Sequence, residues 1–228
     1  MPYKLPIIDI QHITHDVKQF TLSKPANYSF TPGQATEVSI DNNGWRDEKR
    51  PFTFTSLPEE EKLEFIIKIY NDHDGVTNQL NTLTTNDHLI IDDPWGTIQY
   101  QGKGTFLAGG AGVTPFISII RHLHRQDKLN GNTLIFSNKS EQDIILRKEL
   151  KQVLGNRFIN VITESGNKHN SDSTFYYLDG FIDQQFLAEI VDNVHQEFYV
   201  CGPPPFNKSM LMYLKRLGAD AEALVFEK

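Results

Sequence analysis

The chain has 228 residues, of which 39% are hydrophobic and 22% charged, and its formal net charge is −7. That size and composition suit one large or two ordinary globular domains, and the acidic balance argues against a general binder of nucleic acid or anionic membrane. A single cysteine, Cys201, excludes an internal disulfide and a Cys-ligated iron–sulfur cluster, and no apolar run approaches the length of a membrane span.

The first hundred residues predict short strands at Ile7–Ile13, Val17–Leu22, Ala35–Ile40, Phe52–Ser56, Leu63–Tyr70, Leu89–Ile91 and Thr97–Tyr100. Turn-rich pieces punctuate them, TPG at Thr31–Gly33, DNNG at Asp41–Gly44 and NDHDG at Asn71–Gly75. Many short strands with such punctuation predict a small antiparallel barrel or sandwich. One short helix is expected at Thr77–Leu83. After Lys103 strands alternate with helices. Strands are expected at Thr105–Ala108, Thr133–Phe136, Phe158–Ile162, Glu197–Val200 and Ala223–Phe226. Helices are expected at Pro115–Gln126, Gln142–Leu154, Asp183–Asn193 and Phe206–Leu217. This alternation implies a parallel sheet with right-handed crossovers. The boundary falls near Tyr100–Gly104, which gives domains 1–102 and 103–228. The polar segment Asn167–Ser173 reads as a surface loop.

Four stretches carry chemistry. In FLAGGAGVTP, Phe106–Pro115, apolar residues enter a turn of glycines and Pro115 opens a helix. Glycines admit a phosphate to the backbone, and a helix N-terminus offers free N–H groups. Gly110 and Gly112 fit the dinucleotide fingerprint G-x-G-x-x-G, with Pro115 in the third place. The plainer reading is an ordinary tight turn. YVCGPPP, Tyr199–Pro205, leaves a later strand of the same sheet, where ligands of open parallel sheets bind. Cys201 is either a buried structural thiol or a ligand contact there. RPFTFTS, Arg50–Ser56, alternates like a half-buried strand but opens on an Arg and carries hydroxyls at Thr53 and Thr55. DGVTNQL, Asp74–Leu80, puts Thr77 near a helix start, either a helix cap or a phosphate cradle. The eight histidines lack metal-ligand spacing, so no metal is expected.

Together these pieces resemble the ferredoxin–NADP reductase family of flavoproteins, in motif order and over essentially the whole chain. FTPGQ at Phe30–Gln34, RPFT at Arg50–Thr53, DGVT at Asp74–Thr77, DPWG at Asp93–Gly96, GGAGVTP at Gly109–Pro115 and CGPP at Cys201–Pro204 carry the resemblance. It implies an antiparallel β-barrel FAD-binding domain followed by an α/β parallel-sheet nucleotide-binding domain. The implied chemistry is hydride transfer from NAD(P)H to FAD, with electrons passed on to a flavodoxin or ferredoxin. A free-flavin or ferric reductase, and a flavin-bearing electron-transfer subunit of a larger complex, are the alternative readings.

The resemblance also assigns residues. Arg50 is expected on the FAD pyrophosphate, Phe52 against the flavin and Thr53 near flavin N5. Ile67, Lys68 and Ile69 are expected on the pyrophosphate or adenine side, and Gly75, Val76 and Thr77 over the pyrophosphate. Gly110, Gly112, Thr114 and Pro115 are expected on the NAD(P)H phosphates, and Cys201, Gly202 and Pro203 beside the nicotinamide. Thr53, Cys201 and Glu227 form the expected catalytic set, with Glu227 relaying a proton to N5. FSNK ends the second α/β strand without a ribose-binding acid, and Ser137, Asn138 and Lys139 offer a receptor for a 2′-phosphate, which favours NADPH over NADH. Departures from the family pattern are Phe52 in place of Tyr, Asp74 and Asp93 in place of glycines, and Lys228 as the last residue where many members carry an aromatic. The start, MPYKLPIIDI, lacks a signal-peptide pattern, so a cytoplasmic location is expected.

Overall fold

The computed structural model describes residues 2–72, 74–96, 98–164, 177–220 and 224–226. By compactness the chain divides into two units, Met1–Gln99 with Thr114–His122, and Tyr100–Val113 with Leu123–Lys228.

The first unit is built on six strands: β1 (Tyr3–His12), β2 (Val17–Ser23), β3 (Ala35–Ile40), β4 (Arg50–Thr53), β5 (Lys62–Lys68) and β6 (His88–Ile91). They pair antiparallel in the order β4-β3-β6-β1-β2-β5. A bridge between Phe54 and Phe65 brings the two edges together and closes the barrel. β1 serves two neighbours. Tyr3–Pro6 pair with β6 and Ile7–His12 with β2, with a register shift between Ile7 and Asp9. Pro6 and the bulge lie where the strand bends from one partner to the other. Inside, Phe54 stacks on Phe30 at 4.3 Å and meets Phe65 at 5.0 Å. The short helix α1 (Val76–Leu80) sends Val76 and Leu80 into this core.

The second unit holds a parallel six-stranded sheet in the order β10-β9-β8-β7-β11-β12. Its strands are β7 (Gly104–Gly109), β8 (Thr133–Asn138), β9 (Phe158–Ile162), β10 (Tyr177–Asp179), β11 (Glu197–Cys201) and β12 (Leu224–Phe226). Helices α2 (Thr114–Arg125), α3 (Arg147–Leu154), α4 (Gln184–Ile190) and α5 (Pro204–Arg216) connect them. Leu187 of α4 and Met210 and Leu214 of α5 pack against Leu107, Ile135, Val161 and Val200. The chain leaves β7 for β8 on one side and later returns to β11 on the other, so the sheet order reverses at β7. Tyr199 lies between Phe106 and Tyr100, at 4.5 and 5.9 Å. Its hydroxyl accepts from Gln101 N and Gly102 N and donates to Gly102 O, which fastens the entry into β7.

Four expectations change. Ile98–Tyr100 is not strand: Trp95 exchanges backbone hydrogen bonds with Ala35 at 2.7 and 2.8 Å, and Gly96, at φ +131°, then turns the chain away. The helix expected at Gln142–Leu154 starts only at Arg147, because Leu146 takes φ +50° and buries the preceding Ile144 and Ile145. β10 was not anticipated. The fourth strand runs over Arg50–Thr53 rather than Phe52–Ser56, since Thr55 and Ser56 leave the ladder for hydrogen bonds to Glu64. Asn167–Ser173 and Glu227 lie outside the described residues.

Candidate active site

Barrel closure does the first piece of assembly. The Phe54–Phe65 bridge sets β4 alongside β5, so Arg50, Phe52 and Thr53 share one side of the barrel with Ile67, Lys68 and Ile69. The Arg50 side chain is half exposed. It donates to its neighbour's carbonyl, Lys49 O, at 2.6 Å and lies 3.8 Å from the Glu48 carboxylate. A guanidinium has five donors, so this arrangement leaves it able to take a pyrophosphate. Phe52 is partly buried against the barrel core, and Thr53 is partly exposed at the strand end.

Ile67 and Ile69 point into the core, both nearly fully buried, so only their backbone is open to a ligand. Lys68 points the other way and pairs with Asp16 at 2.7 Å. Burial pushes the Asp16 carboxyl up, but hydrogen bonds from Lys68 and Thr14 outweigh it and hold the group below the usual carboxylate range. Further along, Gly75 stands in extended conformation before α1, with no side-chain cap on the helix start and open space where a Cβ would project. Lys18, almost fully buried, donates to Asn81 O at 2.9 Å and fastens the far end of α1.

The second unit brings two turns together. β7 and β11 are parallel neighbours, with Ala108 opposite Cys201, so the turns that follow them emerge side by side. Gly110–Val113 form a 3-10 turn leading directly into α2 at Thr114–Pro115. A Cβ on Gly112 would stand 2.3 Å from Cys201 O and 2.6 Å from the Gly202 Cα. On Gly202 it would meet Phe206 at 2.7 Å and Gly109 Cα at 3.2 Å. Only glycines allow so close a backbone approach. Gly110, by contrast, takes φ +53° with nothing within 4 Å of its Cβ position, so that side of the turn is open. Cys201 is buried and Pro203 exposed at the start of α5.

Ser137 lies opposite Gly109 at the end of β8. Asn138 is buried, and neither atom of its amide has a hydrogen-bond partner. Lys139 is exposed, with its ammonium 3.9 Å from the Glu164 carboxylate.

The residues fit both cofactors. The first unit offers a half-exposed guanidinium and an uncapped helix start beside a glycine open to solvent. The second offers an open glycine turn at a topological switch point, where dinucleotides bind open parallel sheets. Those features suit a flavin- and nicotinamide-dependent reductase. Comparison with known proteins agrees. Residues 4–100 match the oxidoreductase FAD-binding domain and residues 106–211 the oxidoreductase NAD-binding domain. The chain is 30% identical over 220 residues to NADH-cytochrome b5 reductase 2-A of Vanderwaltozyma polyspora, covering 89% of this chain and 71% of that one. It is 27% identical to NADH-cytochrome b5 reductase 2 of Danio rerio, covering 96% and 82%. A ferredoxin–NADP+ reductase from Neisseria gonorrhoeae, solved with FAD and NADP, superposes with a TM-score of 0.82 at 20% identity, over 99% of this chain and 98% of that one.

The chain belongs to the ferredoxin–NADP reductase family. It is an NAD(P)H-dependent FAD oxidoreductase that transfers electrons, with FAD as cofactor and NAD(P)H as substrate. No described helix is long and apolar enough to cross a membrane.

Sequence reasoning passed over Ser118 and Arg121 of α2 and Glu64 of the barrel, and gave the Thr55 hydroxyl no partner. Arg121 Nη1 donates to Thr55 O at 2.8 Å and to Glu64 Oε1 at 2.7 Å. The available signal was a polar pair one turn apart, Ser118 and Arg121, set among the apolar Phe116, Ile117, Ile119 and Ile120.

Proposed function

We propose that this chain is an NADH-dependent reductase whose FAD passes electrons to a haem protein of cytochrome b5 type. The observation that carries the acceptor is the relatedness to NADH-cytochrome b5 reductases over most of both chains. The choice of NADH departs from the expectation of NADPH. The Glu164 carboxylate beside Lys139 opposes a 2′-phosphate there, and the relatives are named for NADH.

FAD, when bound, accepts hydride from the nicotinamide and releases electrons singly. The protein supplies position and electrostatics. We assign FAD to residues 1–102 and the nucleotide to residues 103–228. Arg50 holds the FAD pyrophosphate by paired charge-assisted hydrogen bonds. Gly75, Val76 and Thr77 offer it backbone donors, Phe52 lies against the flavin and Thr53 offers its hydroxyl to N5. Ile67 and Ile69 contribute backbone only, and Lys68 contributes charge already shared with Asp16. Gly110, Gly112, Thr114 and Pro115 hold the nucleotide phosphates. Cys201, Gly202 and Pro203 shape the nicotinamide position, and Ser137, Asn138 and Lys139 flank the ribose end. Glu227 serves as the proton relay.

A flavodoxin or ferredoxin acceptor is the second reading, supported by the shared fold with the Neisseria reductase. Acceptor competition separates the two. The NADH-reduced protein is mixed with cytochrome b5, flavodoxin, ferredoxin and free flavin in turn. Fast reoxidation by cytochrome b5 alone is expected; preference for flavodoxin, ferredoxin or free flavin would reject the haem acceptor. In the same assay Lys139→Ala is expected to leave the NADH constant unchanged within about twofold, the range of an exposed surface substitution. Faster turnover of the parent with NADPH than with NADH would reject the choice of donor.

A further inference from the structure

The barrel-facing edge of α2 has no place in the function as proposed so far. Phe116, Ile117, Ile119 and Ile120 are all at most 1% exposed, yet Ser118 and Arg121 stand among them, three residues apart on one face. Ser118 Oγ accepts from Gly33 N at 3.0 Å. That approach requires a glycine: at φ +95°, a Cβ on Gly33 would stand 2.2 Å from Ile98 O and 3.0 Å from Ile119 Cδ1. One turn along, Arg121 reaches the Thr55 carbonyl and Glu64 Oε1. The Thr55 hydroxyl donates to the same Glu64 oxygen at 2.7 Å, and its amide donates to Glu64 O at 2.9 Å. Glu64 N in turn donates to Ser56 Oγ at 3.0 Å. The Arg121 and Glu64 side chains are only 23% and 18% exposed.

β4 is four residues long and pairs along its length with β3 alone. Its last residue, Thr53, pairs with Ala35, and the direction of its end depends as well on what holds the next residues. Phe54 is held by its bridge to Phe65, and Thr55 is held through its amide, hydroxyl and carbonyl by Glu64 and Arg121. Replacing a partly buried ion pair with apolar groups is often neutral for stability, so its return here is directional. One guanidinium nitrogen, Arg121 Nη1, donates to both the carbonyl and the carboxylate and so ties the two together.

We infer that Arg121 and Glu64 are positioning residues for the reaction: by holding Thr55 they set where Thr53, two residues earlier, presents its hydroxyl to the flavin. This rests on the flavin role proposed for Thr53. The link also joins the flavin strand to α2, the helix that begins at the nucleotide turn.

A double-mutant cycle on the FAD-loaded protein tests it, with Arg121→Met, Thr53→Val and their combination, and Arg121→Lys as the conservative variant. The readouts are the visible spectrum and midpoint potential of the flavin, the rate of its reduction at saturating NADH, and the NADH dissociation constant. Arg121→Met is expected to shift the spectrum and slow reduction by on the order of tenfold to a hundredfold, with NADH affinity unchanged, as misplacement at a reacting centre does. Arg121→Lys restores part of the rate. In the Thr53→Val background, Arg121→Met adds nothing further. Additive effects overturn the inference alone. A Thr53→Val protein with parental spectrum and rate overturns the flavin role of Thr53 and the inference with it. If Arg121→Met fails to retain FAD, Glu64→Gln carries the same cycle with the same two outcomes.

Discussion

The candidate flavin surface of the barrel is lined by side chains, Arg50, Phe52, Thr53 and Lys68, whereas the nucleotide turns of the α/β unit are lined by backbone at Gly109, Gly110, Gly112 and Gly202. The barrel closes around its own aromatic core; Phe52 packs against that core and Lys68 pairs with Asp16, while the half-exposed Arg50 projects from β4 without a part in the packing. In the α/β unit the two turns touch backbone to backbone, so the candidate binding surface and the fold are the same atoms. The two regions therefore fail differently. Substitution in the barrel should cost ligand and spare the fold, and substitution in the glycine turns should cost both.

The largest expected effect falls on Gly112. Gly112→Val places side-chain carbon against the Cys201 carbonyl, where even a Cβ has only 2.3 Å. Overpacking of this kind costs about 1–3 kcal/mol and displaces one of the turns. Thermal unfolding should show the loss, and titration with NADH should show no reduction of bound flavin. Parental stability in this variant would dissolve the contrast between the two regions.

Arg50→Ala comes next. Losing a charge-assisted hydrogen bond should weaken FAD retention by about 1.5–3 kcal/mol, roughly tenfold to a hundredfold. The apoprotein should unfold at the parental temperature, because the Arg50 side chain is half exposed and its partners are a neighbouring carbonyl and an exposed carboxylate. Unchanged retention by equilibrium dialysis would remove Arg50 from the site. A destabilised apoprotein would make Arg50 part of the fold.

The smallest effect concerns acid. Hydrogen bonds from Lys4 and Arg46 hold the Asp41 carboxyl down at about 2, from an ordinary 3.8. A depressed carboxylate stabilises the folded state above its unfolded value and loses that contribution as pH falls through the folded one. The loop between β3 and β4, which carries Trp45 against the barrel core, should therefore loosen between pH 4 and pH 2. Near-ultraviolet circular dichroism should follow the step, and Asp41→Asn should abolish it. The glycine turns, held by backbone contacts, should show no matching step. Loss of tertiary signal from both units together would mean that this loop does not titrate separately.

The sequence showed most where chemistry and periodicity agree. Ala35–Ile40 alternates and forms β3 over those same residues, and the glycine run Gly109–Gly112 stands between a strand and a helix as its composition requires. Boundaries failed where tertiary contacts overrode local pattern. Leu146 breaks a stretch that reads as continuous helix, because the buried Ile144 and Ile145 need a left-handed turn after them. Ile98–Tyr100 looks like strand, yet Trp95 ends the ladder one residue before Gly96 turns away. In the site, residue types could be read but not their direction. Ile67 and Ile69 turned inward because strand alternation gave Lys68 the outer face, and nothing local marked Glu64 as the partner of Arg121, 57 residues away.

The most direct test of the account is anaerobic mixing of the purified, FAD-loaded protein with NADH while the flavin absorbance is followed. The account predicts a yellow protein that bleaches in a single fast phase whose rate saturates with NADH, and that regains its colour when oxidised cytochrome b5 is added. A colourless protein that refuses added FAD, or a yellow one that neither NADH nor NADPH bleaches, would contradict it.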